Sequence, residues 1–214
     1  MNRWVSKQIM HLFAFIWFKF TVHGKQSLPK SGFILAANHS SHFDTVALMH
    51  AMGKRGTETY ILGARDYFFR FSFSTWFFRT FFRILPFDRH GEFGLGLSLA
   101  HEVLKTGHPL LIYPEGTRSP DGQVQPFKPG VGLLGVELGV PIVPCLIQGT
   151  FACLPRGKWW PKRAKVSVTF GPPLDVNDFR SQLVHMSLSR LSRKVASELY
   201  DDIVQLADAT TRSE

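Results

Sequence analysis

The sequence predicts an α/β protein: a layered domain with a mostly parallel central sheet flanked by helices, preceded by an aromatic interfacial helix. Three observations predict it. Short apolar runs such as Gly32–Ala37, Pro109–Tyr113 and Pro141–Ile147 alternate with longer stretches of helical period, the order that builds layered α/β domains. These runs are close to continuously apolar, like strands buried on both faces of a parallel sheet. Residues able to do chemistry gather where two of the runs end, at Asn38–Asp44 and at Pro114–Ser119. The carboxyl ends of strands are where open α/β sheets hold their ligands.

The chain opens on an apolar, aromatic segment, residues 4–22, interrupted by Lys7, Gln8, His11 and Lys19. These interruptions deny it the roughly 20 apolar residues of a spanning helix, and no small-residue cleavage site follows it. It reads as a helix lying in the membrane interface with its lysines reaching the headgroups. The competing reading is a terminal helix packed on the domain. Residues 1–24 are thus expected to form a membrane-interface helical segment, and residues 25–214 one folded domain.

Within that domain the first buried strand is expected over 32–37, followed by a helix from about Thr45 to Gly53, a basic turn Lys54–Gly56 and a strand over 59–63. Residues 65–87 are basic and aromatic. Phe69, Phe73, Trp76, Phe77 and Ile84 fall near one helical stripe, with Arg79 and Arg83 one turn apart. That composition suits a helix facing an anionic lipid surface, the rival being a helix buried on two sides. A helix over 91–107 is expected to turn Phe93, Leu97, Ala100, Val103 and Leu104 inward. The strand 109–113 and a polar stretch Ser119–Lys128 precede a helix that begins at Pro129, where proline is tolerated. The strand 141–147 leads into a loop, 149–163, in which Trp159 and Trp160 sit among Arg156, Lys158, Lys162 and Arg163 like an interface belt. A half-exposed strand, 164–170, is followed by helix from Val176. There Leu183, Val184, Leu188, Leu191, Val195, Leu199, Ile203 and Leu206 keep a helical period.

A chain of 214 residues suits a single domain with a substantial core. Its 20 Phe and 5 Trp accompany a net charge of +9. Basic residues interleaved with aromatics, rather than grouped in a Lys/Arg tract, favour anionic lipid over nucleic acid, and no RNP-like strand is present. Cys145 and Cys153 make neither a disulfide framework nor a metal spacing, which suits a reducing compartment.

His39 and Asp44 lie five residues apart at a strand-to-helix junction. Asp44 is placed either to cap the new helix or to fold back onto an imidazole. In the second case the carboxylate fixes the tautomer at one ring nitrogen and leaves the other free to take a proton. His42 adds a third option, a His39–His42–Asp44 metal set, for which no further ligand cluster appears. Glu115 and Arg118 straddle Gly116, which permits a tight turn. Together they can hold a polyol and a phosphate, helped by the turn's amides, or simply pair with each other. On sequence alone Arg89 reads as a surface arginine paired with its neighbour Asp88, and Lys128 is a further candidate for anion contact.

In this order and at these spacings, the blocks Asn38–Asp44, Phe87–Arg89, Pro114–Ser119 and Val140–Pro144 resemble the four motifs of the glycerolipid acyltransferase family, whose members include the lysophosphatidate acyltransferases. The resemblance covers about residues 20 to 175 and makes 25–214 an acyltransferase domain. It implies that His39 and Asp44 are catalytic and that Arg89, Glu115, Gly116, Thr117 and Arg118 bind the acceptor, with Glu115 also supporting activity. It implies neither metal nor resident cofactor. The expected reaction moves a fatty acyl group from acyl-CoA or acyl-carrier protein, as co-substrate, to the hydroxyl of a lysophospholipid in phospholipid biosynthesis, 1-acylglycerol 3-phosphate above all. The expected setting is a peripheral or monotopic enzyme on the cytoplasmic face of a membrane, partnered by membrane lipids and the donor and not by nucleic acid.

Three features depart from the family pattern: Tyr113 stands where Phe is frequent, His42 adds a basic residue inside the first motif, and the chain is short at its amino end. They leave the acceptor open between a phosphate-bearing lysolipid and an aminolipid or sterol-like alcohol. A lipid or thioester hydrolase is the rival class; Ser40 and Ser41 flank His39, but no Gly-x-Ser-x-Gly elbow is present. A membrane-binding module with a vestigial site is the third.

Overall fold

The computed structural model of the chain describes residues 18–64, 82–87, 93–155, 158 and 160–211. Its strands are β1 (Phe18–His23), β2 (Ile34–Ala37), β3 (Tyr60–Ala64), β4 (Arg83–Phe87), β5 (Leu110–Ile112), β6 (Ile142–Gln148) and β7 (Ala164–Phe170). Its helices are α1 (Asp44–Met52), α2 (Lys54–Glu58), α3 (Phe93–Lys105), α4 (Gly130–Leu138), α5 (Thr150–Cys153), α6 (Asn177–Arg180) and α7 (Leu188–Thr211). The strands make one sheet in the order β1-β7-β6-β2-β5-β3-β4. Every neighbouring pair is parallel except β6 with β7.

β2 is the sheet's centre, with all four residues buried. Its side chains alternate between two apolar layers. Leu35 and Ala37 join Ala47, Leu48 and Met52 of α1 on one face, and Ile34 and Ala36 join Leu104 of α3, Leu134 of α4 and Leu191 and Val195 of α7 on the other. Burial worth about 1.5–3 kcal/mol for each Leu and Ile side chain, and less for each Ala, holds the strand in the middle. Gly132 lets α4 and α7 approach closely, because a Cβ there would lie 2.2 Å from the Ser192 carbonyl oxygen.

Four expectations are corrected. The apolar segment 4–22 is not helical at its end: 18–23 form β1, parallel to β7. Lys19, Thr21 and His23 are exposed while Phe20 and Val22 are half-buried, a period of two that pairs an edge strand and packs on the first core layer. Residues 4–17 lie outside the described residues. The expected turn Lys54–Gly56 is the start of α2, whose Arg55 guanidinium donates to the carbonyls of Pro29, Lys30 and Ser31. Arg83 and Ile84, expected on a helix, belong to β4, where Arg83 donates to the Tyr60 hydroxyl at 3.1 Å and lies over that ring. The remainder of that aromatic stretch, residues 65–81, lies outside the described residues. The carboxyl-terminal helix is broken: α6 is followed by a single 3₁₀ turn, Ser181–Val184, and α7 begins anew after Ser187, whose carbonyl accepts from the Arg190 and Leu191 amides. Leu183 and Val184 therefore leave the apolar stripe and are 41% and 82% exposed.

Candidate active site

The carboxyl ends of three adjacent parallel strands meet at one place. β2 lies between β5 and β6, so the segments leaving them, beginning at Asn38, Tyr113 and Gly149, emerge side by side. Asn38 binds two of these ends together. Its side-chain amide donates to the Ile147 carbonyl at 2.9 Å and accepts from the Ile147 amide at 2.7 Å, extending the β2–β6 ladder by one side chain.

His39 follows. Its Nδ1 lies 2.8 Å from Oδ2 of Asp44, which is 0% exposed. The same oxygen accepts the amides of Ser40 at 2.7 Å and Ser41 at 2.8 Å, and Oδ1 accepts the Thr150 hydroxyl. A carboxylate offers only acceptors, so the His39 proton belongs on Nδ1 and Nε2 carries the lone pair. Nε2 has no partner among the described residues, and the His39 side chain keeps 19% of its surface exposed. Tyr113 holds the ring's plane: the two rings stack at 4.0 Å with an angle of 15°, and the Tyr113 hydroxyl is fixed by Thr45 Oγ1 at 2.8 Å. Asp44 is also the first residue of α1, where a negative charge suits the helix dipole. Its place at the helix start and its contact with the imidazole are features of one geometry.

The Pro114–Ser119 block is bonded to the first block through the backbone. The Gly116 amide closes a turn on the Tyr113 carbonyl at 3.0 Å, and Gly116 adopts φ +73°, a left-handed value that favours glycine. Glu115 points inward, 4% exposed, with Oε1 accepting the His39 amide at 2.8 Å. The Ser119 amide donates to the His39 carbonyl at 2.7 Å. Both backbone polar groups of His39 are therefore held by this block. Burial raises the Glu115 carboxyl to about 7 against the pull of the His39 and Gln125 amides. Thr117 is exposed and Arg118 half-buried. His42 is solvent-exposed as a residue, yet desolvation and then the charges of Arg118 and His39 lower its pKa.

The structure thus places His39, Asp44, Glu115, Gly116, Thr117 and Arg118 at one end of the sheet. Arg89 lies outside the described residues; the strand before it, β4, ends at Phe87. Asn38, Tyr113, Ser119 and Thr150 join the site without having been singled out for it. Thr150 had a signal, since it follows the apolar run of β6 just as His39 follows that of β2. Ser40 and Ser41 are buried, with Ser40 Oγ 3.3 Å from Thr150 Oγ1 and Ser41 Oγ donating to the Leu154 carbonyl. Neither hydroxyl bonds the imidazole. The thiol of Cys145 is buried and pushed up by desolvation and then by the Asp44 charge.

This geometry is an imidazole hydrogen-bonded to a buried carboxylate, its other ring nitrogen without a partner among the described residues, at the carboxyl ends of parallel strands. A family model described as Acyltransferase matches residues 19–148, and the chain belongs to that family. Among its relatives, a Chlamydomonas reinhardtii protein named 1-acyl-sn-glycerol-3-phosphate acyltransferase is 26% identical over 193 residues, 89% of this chain and 57% of that one. A Bacillus subtilis protein of the same name is 27% identical over 161 residues, 74% of this chain and 75% of that one. The crystal structure of the 1-acyl-sn-glycerophosphate acyltransferase of Thermotoga maritima superposes with a TM-score of 0.66 at 28% identity, covering 92% of this chain and 80% of that one. The chain spans about half the length of some relatives, 57% of the algal protein and 45% of a chloroplastic protein from Brassica napus.

Proposed function

We propose that the chain transfers a fatty acyl group from a thioester, acyl-CoA or acyl-carrier protein, to the free hydroxyl of 1-acylglycerol 3-phosphate. The observation that carries the reading is the His39–Asp44 contact at 2.8 Å, with Nε2 of His39 unpartnered among the described residues. Nε2 takes the proton from the acceptor hydroxyl as its oxygen attacks the thioester carbonyl. The tetrahedral intermediate collapses, the C–S bond breaks, and the thiolate leaves and regains the proton from the imidazolium. Asp44, fixed by its other donors, offsets the charge on the ring. Such general-base assistance contributes roughly 10²- to 10⁴-fold, and holding the two substrates together contributes the rest. A thioester is already activated, so the reaction needs no acyl-enzyme, and it needs neither metal nor resident cofactor.

Glu115 serves this reaction by holding the His39 amide, and Gly116, Thr117, Arg118 and Arg89 bind the acceptor. The names of the relatives support a phosphate-bearing lysolipid as that acceptor. Membrane lipids are the partners, and the chain acts as a peripheral protein on the cytoplasmic face. No helix among the described residues is long and apolar enough to cross a membrane. A serine hydrolase is disfavoured by the Ser40 and Ser41 hydroxyls, which are engaged away from His39.

The test is a panel of acceptors offered to the purified chain with labelled acyl-CoA and read by lipid mass. Acylation of 1-acylglycerol 3-phosphate is expected. Thioester loss at an equal rate with water alone would contradict acyl transfer. Product from an aminolipid or a sterol and none from the lysophosphatidate would contradict the proposed acceptor.

A further inference from the structure

The two oxygens of Asp44 are held unequally. Oδ2 collects three donors, the His39 ring at 2.8 Å and the amides of Ser40 and Ser41 at 2.7 and 2.8 Å. Oδ1 has one donor among the described residues, the hydroxyl of Thr150. Asp44 and Thr150 are both 0% exposed, so the charge on Oδ1 is answered inside the protein. A carboxylate offers only acceptors, which assigns the Thr150 hydrogen to its bond with Asp44. Ser40 Oγ lies 3.3 Å from Thr150 Oγ1 and is then the donor of that pair. A buried chain of hydroxyls thus runs from Ser40 through Thr150 to Asp44, each bond polarising the next.

The backbone fixes Thr150 in this place. Gly149 adopts φ +85°, and a Cβ on it would lie 1.8 Å from the Lys165 carbonyl oxygen, so glycine lets the turn press against β7. Thr150 then opens α5, where its carbonyl accepts the Leu154 amide at 3.0 Å. The Leu154 carbonyl in turn accepts the Ser41 hydroxyl at 3.0 Å. The segment that leaves β6 is therefore bonded to the His39–Asp44 block through Asn38, Ser41 and Thr150.

The two amides already aim Oδ2 at the imidazole, so aim is not what Thr150 adds. Its hydroxyl draws negative charge toward Oδ1 and away from the ring. Without it Oδ1 is a buried oxygen with no donor, and the carboxylate pulls harder on the imidazole proton. We propose that Thr150 is a positioning residue of the transfer: acting through Asp44, its hydroxyl limits how firmly His39 holds the proton it takes from the acceptor. The proposal rests on the acyl-transfer reading for the source of that proton, and not for the coupling of Thr150 to the imidazole. The other titratable or charged groups around the pair are His42, Tyr113, Glu115, Arg118 and Cys145, and a substitution at Thr150 removes none of them.

The experiment compares the native chain with Thr150→Val, which keeps the shape and loses the hydroxyl, and Thr150→Ser, which keeps the hydroxyl. In the first readout the His39 Nδ1 proton is followed by nuclear magnetic resonance, which requires no turnover. It is expected further downfield in Thr150→Val, as its bond to Asp44 strengthens, and unmoved in Thr150→Ser. In the second, kcat for 1-acylglycerol 3-phosphate is measured across pH. A base that holds its proton more firmly loses activity at higher pH, so the acid limb is expected to move up by about one pH unit in Thr150→Val. Both KM values stay within about twofold, and Thr150→Ser keeps the native limb. An Nδ1 proton unmoved in Thr150→Val, a kcat that falls equally at every pH, or the same changes in Thr150→Ser would overturn the proposal. If the native chain fails to acylate the lysolipid, the acyl-transfer reading falls while the Nδ1 proton still decides the coupling. Circular dichroism and urea unfolding verify each fold, and Thr150→Ala, which removes the same hydroxyl, is read in the same way where Thr150→Val does not fold.

Discussion

Asp44 is the residue on which the site's geometry converges, since the His39 ring, two amides and a hydroxyl all point at its two oxygens. Asp44→Asn replaces one acceptor by a donor among groups that need acceptors. It is expected to destabilise the fold by roughly 2–4 kcal/mol in urea unfolding and to depress transfer as well. Glu115 makes a different prediction. Burial lifts its carboxyl from 4.5 to about 7. Between those values the folded chain keeps a proton that the unfolded chain has released. This group's contribution to stability therefore falls as pH rises, and the loss is complete above about 7. Glu115→Gln keeps an acceptor for the His39 amide and cannot ionise. Its stability relative to the native chain should rise by about 2–3 kcal/mol between pH 4 and pH 8. Urea unfolding across that range checks this, and a difference independent of pH would contradict it.

At the scale of the element, the site is a consequence of strand order. His39, Glu115 and Thr150 are far apart in sequence but follow three strands that lie side by side as β5, β2 and β6. Asn38 is the device that keeps two of those ends in step, so Asn38→Ala orphans the buried Ile147 amide and carbonyl. A loss of roughly 2–4 kcal/mol is expected in urea unfolding, with transfer reduced because His39 is the next residue. The strands themselves were legible because each is a short apolar run ended by polar residues, and β2, β3, β5 and β6 fall within a residue or two of the expected bounds. β1 was not legible as a strand. Its alternation of Lys19, Thr21 and His23 with Phe20 and Val22 sits at the end of a longer apolar stretch whose aromatic content suggests a helix. Its partner is β7, some 145 residues away, and no local pattern announces that pairing. The break before α7 was hidden in the same way, since Leu183 and Val184 fit the helical period although they do not pack. Of the site, the His39–Asp44 spacing was legible because both residues stand at one junction. Thr150 offered only its place after the run of β6, and the contacts that Thr150 and Tyr113 make to Asp44 and His39 are created by the sheet, with no counterpart in local spacing.

For the molecule as a whole, a net charge of +9 and exposed residues such as Trp160, 67% exposed, Lys158, Lys162 and Arg163 suit an anionic surface. Binding to vesicles containing phosphatidylglycerol is expected to weaken as salt rises from about 0.05 to about 0.5 M, because the screening length shortens severalfold. Co-sedimentation that ignores both salt and anionic lipid would contradict an electrostatic attachment. The central claim concerns the imidazole, and a single measurement tests it most directly. His39→Ala is assayed for transfer of labelled acyl groups from acyl-CoA to 1-acylglycerol 3-phosphate, at equal vesicle binding and with its fold verified by circular dichroism. Product formation is predicted to fall by roughly 10²- to 10⁴-fold relative to the native chain, whereas transfer retained within a few-fold would contradict His39 as the base.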